Sequence, residues 1–361
     1  MNYSAHTHMI TNRISQRGLS LVELMISITI GLLILSALAT LFVNQSRTRT
    51  ELDKSNRLID NGRYAMEVLS ENLQLAGFYG EGELTVAPTI LDPCTSNLST
   101  PNLGELRNAV GLHVLGYDAA NVSATLGSPP CGLAAANLKA GSDILVLRRA
   151  DTTAVAAAAA INGRHYIQLS SCNNTTEPAS FVIDTATANY NLHKYDCVAV
   201  ADVRRLVVQT YYISPDNTSG DGIPTLKVRE LDPAGTGVFI TTPLVEGIEY
   251  LQVEYGIDGD NNADGVMDDI NGDSVVNVSD KDGAADSYVT TCVDATCWSN
   301  VVSVKLNIIA RNTETTAGYT NNSTYTLGQA GTFGPFNDHY KRRVYTQIIR
   351  LINPSSRRET P

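Results

Sequence analysis

The stretch RGLSLVELMISITIGLLILSALATLFV, Arg17 to Val43, decides how this chain is built. Leu19 to Val43 is 25 residues with Glu23 as the only charge. At about 1.5 Å per residue, a helix of that length crosses a bilayer core of roughly 30 Å. Upstream, residues 1–18 carry Arg13 and Arg17 and no acid. Basic residues before a span stay on the cytoplasmic side, so the carboxyl-terminal bulk is expected outside. The apolar run is too long for an ordinary cleaved signal peptide, so the anchor is expected to be retained. A carboxylate in a membrane helix costs about 2.5–3.5 kcal/mol at the centre, less near an interface, and such residues usually have a partner. No Lys or Arg lies elsewhere in the span. Cleavage between Gly18 and Leu19 would create the missing cation, a free amine four residues from Glu23, available to its own chain or to a neighbour.

Downstream the helical pattern continues in polar sequence. From Asn44 to Ala76 the apolar residues Leu52, Ile59, Met66, Leu69 and Leu73 form one stripe. Gly77 then supplies a stop signal. No proline interrupts, so a single helix of about 58 residues is expected from Leu19 to Ala76, roughly 85–90 Å long, with Gly31 and Gly62 as its weak points. Its second half should lay the stripe on a globular head.

The head reads as mostly β. Alternating or β-branched runs occur at Ile144–Arg148, Arg205–Ile213, Thr225–Glu230, Tyr250–Tyr255, Val301–Ala310 and Arg343–Ile352, separated by Gly, Asn, Asp and Pro clusters. Residues 81–140 show little periodicity and are expected to form loops and short elements. The run AVAAAAAING at 154–163 fits a helical turn or a flexible insertion equally well. The chain has 361 residues, 43% of them hydrophobic, which is ample for a core. The expected class is α+β, a long helix packed on one or two antiparallel sheets.

Six cysteines, Cys94, Cys131, Cys172, Cys197, Cys292 and Cys297, contain no CxxC pair, which argues for disulfides over zinc or redox chemistry. Sequence proximity favours Cys292 with Cys297, Cys172 with Cys197 and Cys94 with Cys131, the first closing a small ring around VDAT.

The formal charge is -11, and nucleic acid is not expected as a partner because phosphate binding needs clustered Lys and Arg. The acid is concentrated. From Asp258 to Asp286 there are nine Asp against Lys281 alone. Within that segment DINGDSVVNVSD places oxygen ligands at loop positions 1, 3, 5, 9 and 12, namely Asp269, Asn271, Asp273, Asn277 and Asp280, with the Val275 carbonyl at position 7. Calcium takes six to eight hard oxygen ligands, and a loop so spaced wraps one ion. The loop resembles dockerin-type calcium loops, although Ser274 stands where Gly usually makes the turn and Asp280 where Glu is usual. A second candidate precedes it, with Asp260, Asn262, Asp264 and Asp268 in ligand positions and Asp258 nearby; its last position falls on Asn271, which the later loop also claims. Either one ion sits in the later loop or two ions share ligands. Crowded carboxylates repel, so a divalent ion has an electrostatic role here.

Catalysis finds no support. His6, His8, His113, His165, His193 and His339 are scattered, with no HExxH, GxSxG, Walker loop or GxGxxG opening a helix.

The stretch RGLSLVELMISITIGLLIL, Arg17 to Leu35, resembles the class III leader and first helix of type IV pilins and type II secretion pseudopilins. The resemblance implies that a prepilin peptidase cuts after Gly18 and methylates the amine of Leu19, and that Glu23 directs assembly into a helical filament. Leu19 departs from the commoner Phe, which should be tolerated because cleavage depends chiefly on the Gly. NGRYAMEVLSENLQLAGFYG, Asn61 to Gly80, resembles the end of this helix in PilW-type minor pilins and, more distantly, in J-type pseudopilins. GSDILVLRRAD at 141–151, LVEGIEYLQVEYGID at 244–258 and RRVYTQIIRLIN at 342–353 agree, so the resemblance spans most of the chain.

It implies the type IV pilin fold, organised as a leader at 1–18, a transmembrane and polymerisation helix at 19–43, its amphipathic continuation at 44–80 and a β-rich head at 81–361 carrying the acidic loop at 258–286. The implied function is that of a minor pilin in the priming and tip complex of a type IV pilus, supporting adhesion, twitching and DNA uptake. Implied partners are other minor pilins, the major pilin, the prepilin peptidase, the inner-membrane assembly platform and a large tip adhesin. The implied location is a single pass through the inner membrane of a Gram-negative bacterium with the head in the periplasm, then the pilus. Two other readings stand beside it: a J-type pseudopilin of a secretion system, and a calcium-dependent adhesive module displayed on a pilin anchor.

Overall fold

The apolar run and its polar continuation form one helix, α1, Leu21–Gln74, of 54 residues. The computed structural model describes residues 18, 20–81, 84, 86–94, 106–118, 130–174, 177–232, 238–258 and 283–358. The chain divides into two units, one ending at Asp53 and one beginning at Lys54. α1 contributes to both. In the first unit its side chains are exposed along the whole apolar run, Leu33 at 71% and Phe42 at 73%.

In the second unit α1 buries Leu58, Gly62, Ala65, Met66, Leu69 and Leu73. The expected stripe shifts at its start, because Leu52 is exposed and Ile59 only half-buried. Heptad spacing drifts around a helix of 3.6 residues per turn, so a residue seven positions upstream leaves the contact face. Gly62 and Ala65 fill the gap, and neither carries a hydrophobic signal. At Gly62 a Cβ would overlap the ring of Tyr345, whose hydroxyl donates to the Ile59 carbonyl at 3.3 Å. The glycine that looked like a weak point is where the helix makes room for a ring of the sheet.

α1 ends two residues before Ala76, and Gly77 turns the chain at φ 73°. The orphan carbonyls of a helix end need donors. Asn353 supplies them to Gln74 and Ala76 at 3.4 and 3.2 Å, and Arg357 to Gly77 at 3.1 Å. The last turn is thus capped by residues almost 280 positions away.

The head contains two antiparallel sheets. The first joins β1 (Val114–Tyr117), β2 (Ile144–Val155), β3 (Tyr166–Leu169), β4 (Phe181–Asp184), β5 (Val203–Ser214), β6 (Thr225–Leu231) and β7 (Phe239–Glu246). β5 organises it, with β2 on one edge and β3 and β6 on successive stretches of the other. The second sheet comprises β8 (Ile248–Ile257), β9 (Ser287–Val289), β10 (Val301–Arg311) and β13 (Arg342–Arg350), in the order β13-β10-β8-β9. Between β9 and β10 lies a short helix, α2 (Ala295–Ser299), and between β10 and β13 a small hairpin of β11 (Tyr325–Thr326) and β12 (Thr332–Phe333). A last helix, α3, Ile352–Ser356, follows β13.

One core joins both sheets to α1. Leu115, Val146 and Tyr211 come from the first sheet, Leu251, Val304 and Leu306 from the second, and Leu69 and Leu73 from the helix. Gly116 admits the Tyr255 ring, which a Cβ would overlap, and Tyr255 meets Trp298 of α2 edge-on, centroids 4.7 Å apart. Each expected strand is present, most of them longer than the periodicity indicated; β2, for example, continues to Val155. The alanine run resolves as the end of β2 and a single 3-10 turn at Ala157–Ala159. β7 escaped notice because Pro243 sits inside it, at a register shift on an edge strand where a missing N–H is tolerated.

Candidate assembly site

Gly18 is exposed and Leu19 lies outside the described residues. Ser20 and Glu23 form a reciprocal cap at the start of α1. The Ser20 backbone N–H donates to Glu23 Oε2 at 3.0 Å, and the Glu23 N–H donates to Ser20 Oγ at 3.4 Å. This is the S-x-x-E capping box, which satisfies two orphan donors at once. It also places the carboxylate against the backbone of the residue that follows Leu19. A new amine at Leu19 would be one residue from that contact. The negative side chain in the first turn also complements the helix dipole.

Further along, Ser27, Thr29 and Thr40 bond back to their own helix. Ser27 Oγ donates to the Glu23 carbonyl at 2.7 Å, Thr29 to Met25 at 3.0 Å, and Thr40 to Ser36 at 2.9 Å. Hydroxyls bonded back to their own helix leave an apolar outer surface. The helix is long and apolar enough to cross a membrane, and its exposed Leu, Ile and Phe side chains call for lipid or other helices.

The head is stapled by three disulfides, Cys94–Cys131, Cys172–Cys197 and Cys292–Cys297, the pairs that sequence proximity favours. The last holds α2, whose first turn is capped by Asp294 accepting from the Cys297 N–H at 2.8 Å. Asp92 lies beside Cys94 and Cys131, but both sulfurs are committed to a disulfide, and Asp92 instead accepts the Cys131 N–H at 3.1 Å.

Every candidate calcium ligand except Asp258, namely Asp260, Asn262, Asp264, Asp268, Asp269, Asn271, Asp273, Val275, Asn277 and Asp280, lies outside the described residues. Asp258 itself is 2% exposed. Arg358 donates to its carboxylate at 3.1 Å and to its carbonyl at 3.0 Å, while Gly283 N–H donates to Oδ2 at 3.1 Å. Asp258 and Gly283 thus close the stem of the acidic segment. That arginine gave no signal in the sequence, because eight residues past the end of β13 at Arg350 it reads only as a tail; the tertiary contact makes it a clamp.

Several buried titratable groups elsewhere have structural partners. Glu249 receives Arg342 at 2.6 and 3.0 Å, and Asp338 takes the same guanidinium at 2.6 Å; these contacts lift Arg342 above the ordinary arginine value even though burial opposes it. His113 is pushed down to about 4, chiefly by burial, and its ring bonds the Val301 carbonyl at 3.0 Å. Ser170, Glu177 and His193 are in contact, but the carboxylate stands between the other two: Ser170 donates to Glu177 at 2.8 Å, and His193 Nδ1 lies 3.0 Å from the other carboxylate oxygen. The imidazole is in no position to take the serine proton, as a nucleophilic serine would require.

An antiparallel head carried by a capped, glutamate-bearing apolar helix is the build of a pilin. Residues 13–39 match the prokaryotic N-terminal methylation motif, and residues 210–353, from β5 to α3, match the family described as type IV pilus-assembly protein W. Together the two matches support a PilW-type minor pilin, a subunit that takes part in type IV pilus assembly. Among solved structures a type IV-like pilin from Thermus thermophilus is similar at 12% identity, over 59% of this chain and 78% of its own, with a TM-score of 0.26. No curated protein matches. The family is structural, and its members work with other pilus components.

Proposed function

We propose that this minor pilin belongs to the priming and tip complex of the pilus and through it supports adhesion and twitching. The observation that carries the proposal is the match of residues 210–353 to a pilus-assembly family beside that of residues 13–39 to the N-terminal methylation motif, with Glu23 at the start of an otherwise apolar helix. The helix begins as a single pass through the inner membrane with the head outside, a direction supported by Arg13 and Arg17 before the span. Three disulfides support an oxidising compartment such as the periplasm for the head. Prepilin peptidase cuts after Gly18, and Glu23 then meets a terminal amine within the assembly. The role is structural and needs no catalysis.

Deletion of the gene, scored for surface pili, twitching and protein secretion, tests this proposal. Loss of pili with normal secretion is expected. Normal piliation with failed secretion would sink it in favour of a pseudopilus. Glu23→Ala should be inserted and processed at Gly18 yet fail to join the filament complex.

The acidic segment is proposed to take calcium after export, with Asp269, Asn271, Asp273, Val275, Asn277 and Asp280 as ligands. Support comes from the spacing and from the closed stem at Asp258 and Gly283. In the second candidate loop, Asp258 serves the stem through Arg358, which leaves Asp260, Asn262, Asp264 and Asp268 as its ligands.

A further inference from the structure

β13 forms one edge of the second sheet and pairs only with β10 among the described strands. In an antiparallel pair, backbone groups point alternately toward the partner and away from it. The phase is set by two bonds in line with the ladder, Leu351 N–H to the Val302 carbonyl at 2.8 Å and Asn312 N–H to the Lys341 carbonyl at 3.0 Å. With Thr346 opposite Asn307, the N–H and carbonyl groups of Val344, Thr346 and Ile348 face outward. The Thr346 hydroxyl donates to Asn307 Oδ1 at 2.9 Å, as neighbours in a non-hydrogen-bonded pair should. The edge is long for one so open, at nine residues. Ile348 is 59% exposed on it.

A groove of about 430 Å³ runs beside this edge, walled by Arg63, Glu67, Ser70 and Glu71 of α1 and floored by Tyr345 and Gln347. Glu67 and Glu71 are exposed, and among the described residues neither makes an ion pair. They stand one helical turn apart on the wall. Open backbone valences on one side, and on the other two carboxylates against the single cation Arg63, together define the chemistry of what fits between them. Water satisfies the backbone groups, but only a strand satisfies them in register while filling the groove with alternate side chains.

We propose that β13 is a strand-addition site, which takes an extended segment of another pilus component bearing Lys or Arg on the face turned toward Glu67 and Glu71. The proposal rests on the reading of this chain as a pilus subunit. Backbone pairing supplies affinity, and the two carboxylates select the segment.

The test uses the full chain in its native cells. A photo-crosslinking amino acid is placed in turn at Val344, Thr346 and Ile348, and the cross-linked peptides are identified by mass spectrometry. Strand addition predicts that all three probes reach one stretch of one partner, the contact moving two residues along it at each step. A second variant removes an outward N–H: Thr346→Pro, or Ile348→Pro should the first fail to fold as judged by protease resistance of the head. Proline is tolerated on edge strands where its missing N–H faces solvent. Cross-linking from the remaining probe positions is expected to fall more than tenfold, and Glu67→Lys with Glu71→Lys, which leaves β13 intact, should lower it severalfold. No cross-link, cross-links without the two-residue step, a second copy of this chain as partner, or unchanged yields in the proline or charge-reversed variants would overturn the proposal. Gene deletion separates the two levels. Pili that persist without the gene undo the pilus role itself, whereas lost pili with an unchanged proline variant undo only the strand addition.

Discussion

Glu23 and Gly62 show how much one side chain, or its absence, decides. The Glu23 carboxylate belongs to a capping box with Ser20, so its charge has a backbone donor even before any amine is created nearby. Ser20→Ala removes the hydroxyl that accepts from the Glu23 N–H, a change that costs about 0.5–2 kcal/mol at a helix start. It should fray the first turn, and proton exchange at the Glu23 amide of the full chain in detergent should speed up by about 2- to 30-fold. Gly62 is held by contact, since any Cβ there meets Tyr345. Gly62→Leu should destabilise the head by about 1–3 kcal/mol through overpacking. Adding Tyr345→Ala should recover part of that loss in thermal unfolding, since side chains in contact are coupled.

The disulfides and short elements set how the head is tied. Cys94–Cys131 spans 37 residues and Cys292–Cys297 spans 5. On chain entropy alone, opening the first costs about 4 kcal/mol and the second about 2 kcal/mol. Cys94→Ser with Cys131→Ser should therefore lower the unfolding midpoint in urea more than the Cys292→Ser, Cys297→Ser pair. The small ring has another consequence, because it positions α2, and Trp298 on α2 packs against Tyr255 in the core. Loss of that ring should broaden the near-ultraviolet circular dichroism of the tryptophan while the far-ultraviolet sheet signal is kept. The closing helix α3 and its flanks matter in the same way. Asn353, Arg357 and Arg358 cap α1 and lock the acidic stem, so truncation after Arg350 should destabilise the head although it removes no strand.

For the head as a whole, pH is a direct probe of burial. His113 is lowered from 6.5 to about 4, mainly by burial and further by Arg358, Arg357 and Arg148; burial lowers His165 as well. The unfolded chain takes a proton at these imidazoles below about 6.5, and the folded chain resists doing so at His113 until about 4. Stability is therefore full above that window and declines as pH falls through it, by about 3 kcal/mol for His113 at 1.36 kcal/mol per pKa unit. His113→Gln, which keeps a donor for Val301, should flatten the decline in unfolding free energy measured between pH 7 and pH 4. Calcium tests the acidic segment: an unfolding midpoint identical in EGTA and in millimolar calcium would remove the metal from the proposal.

The helix and the main strands were legible because each is written locally. An unbroken apolar run of membrane length, and β-branched runs such as Val301–Ala310, leave little choice of secondary structure. The capping box is written just as locally, as Ser20 and Glu23 three residues apart, but the charge of Glu23 points first to an amine and the backbone partner emerged only with the structure. Periodicity records which side of an element is buried, but it says nothing of what covers that side. For this reason the contact at Gly62, the clamp of Arg358 on Asp258, the capping of α1 by Asn353 and the open side of β13 emerge only from the fold. Each depends on residues brought together from distant parts of the chain, and an edge in particular is defined by the strand that the closed structure leaves unpaired.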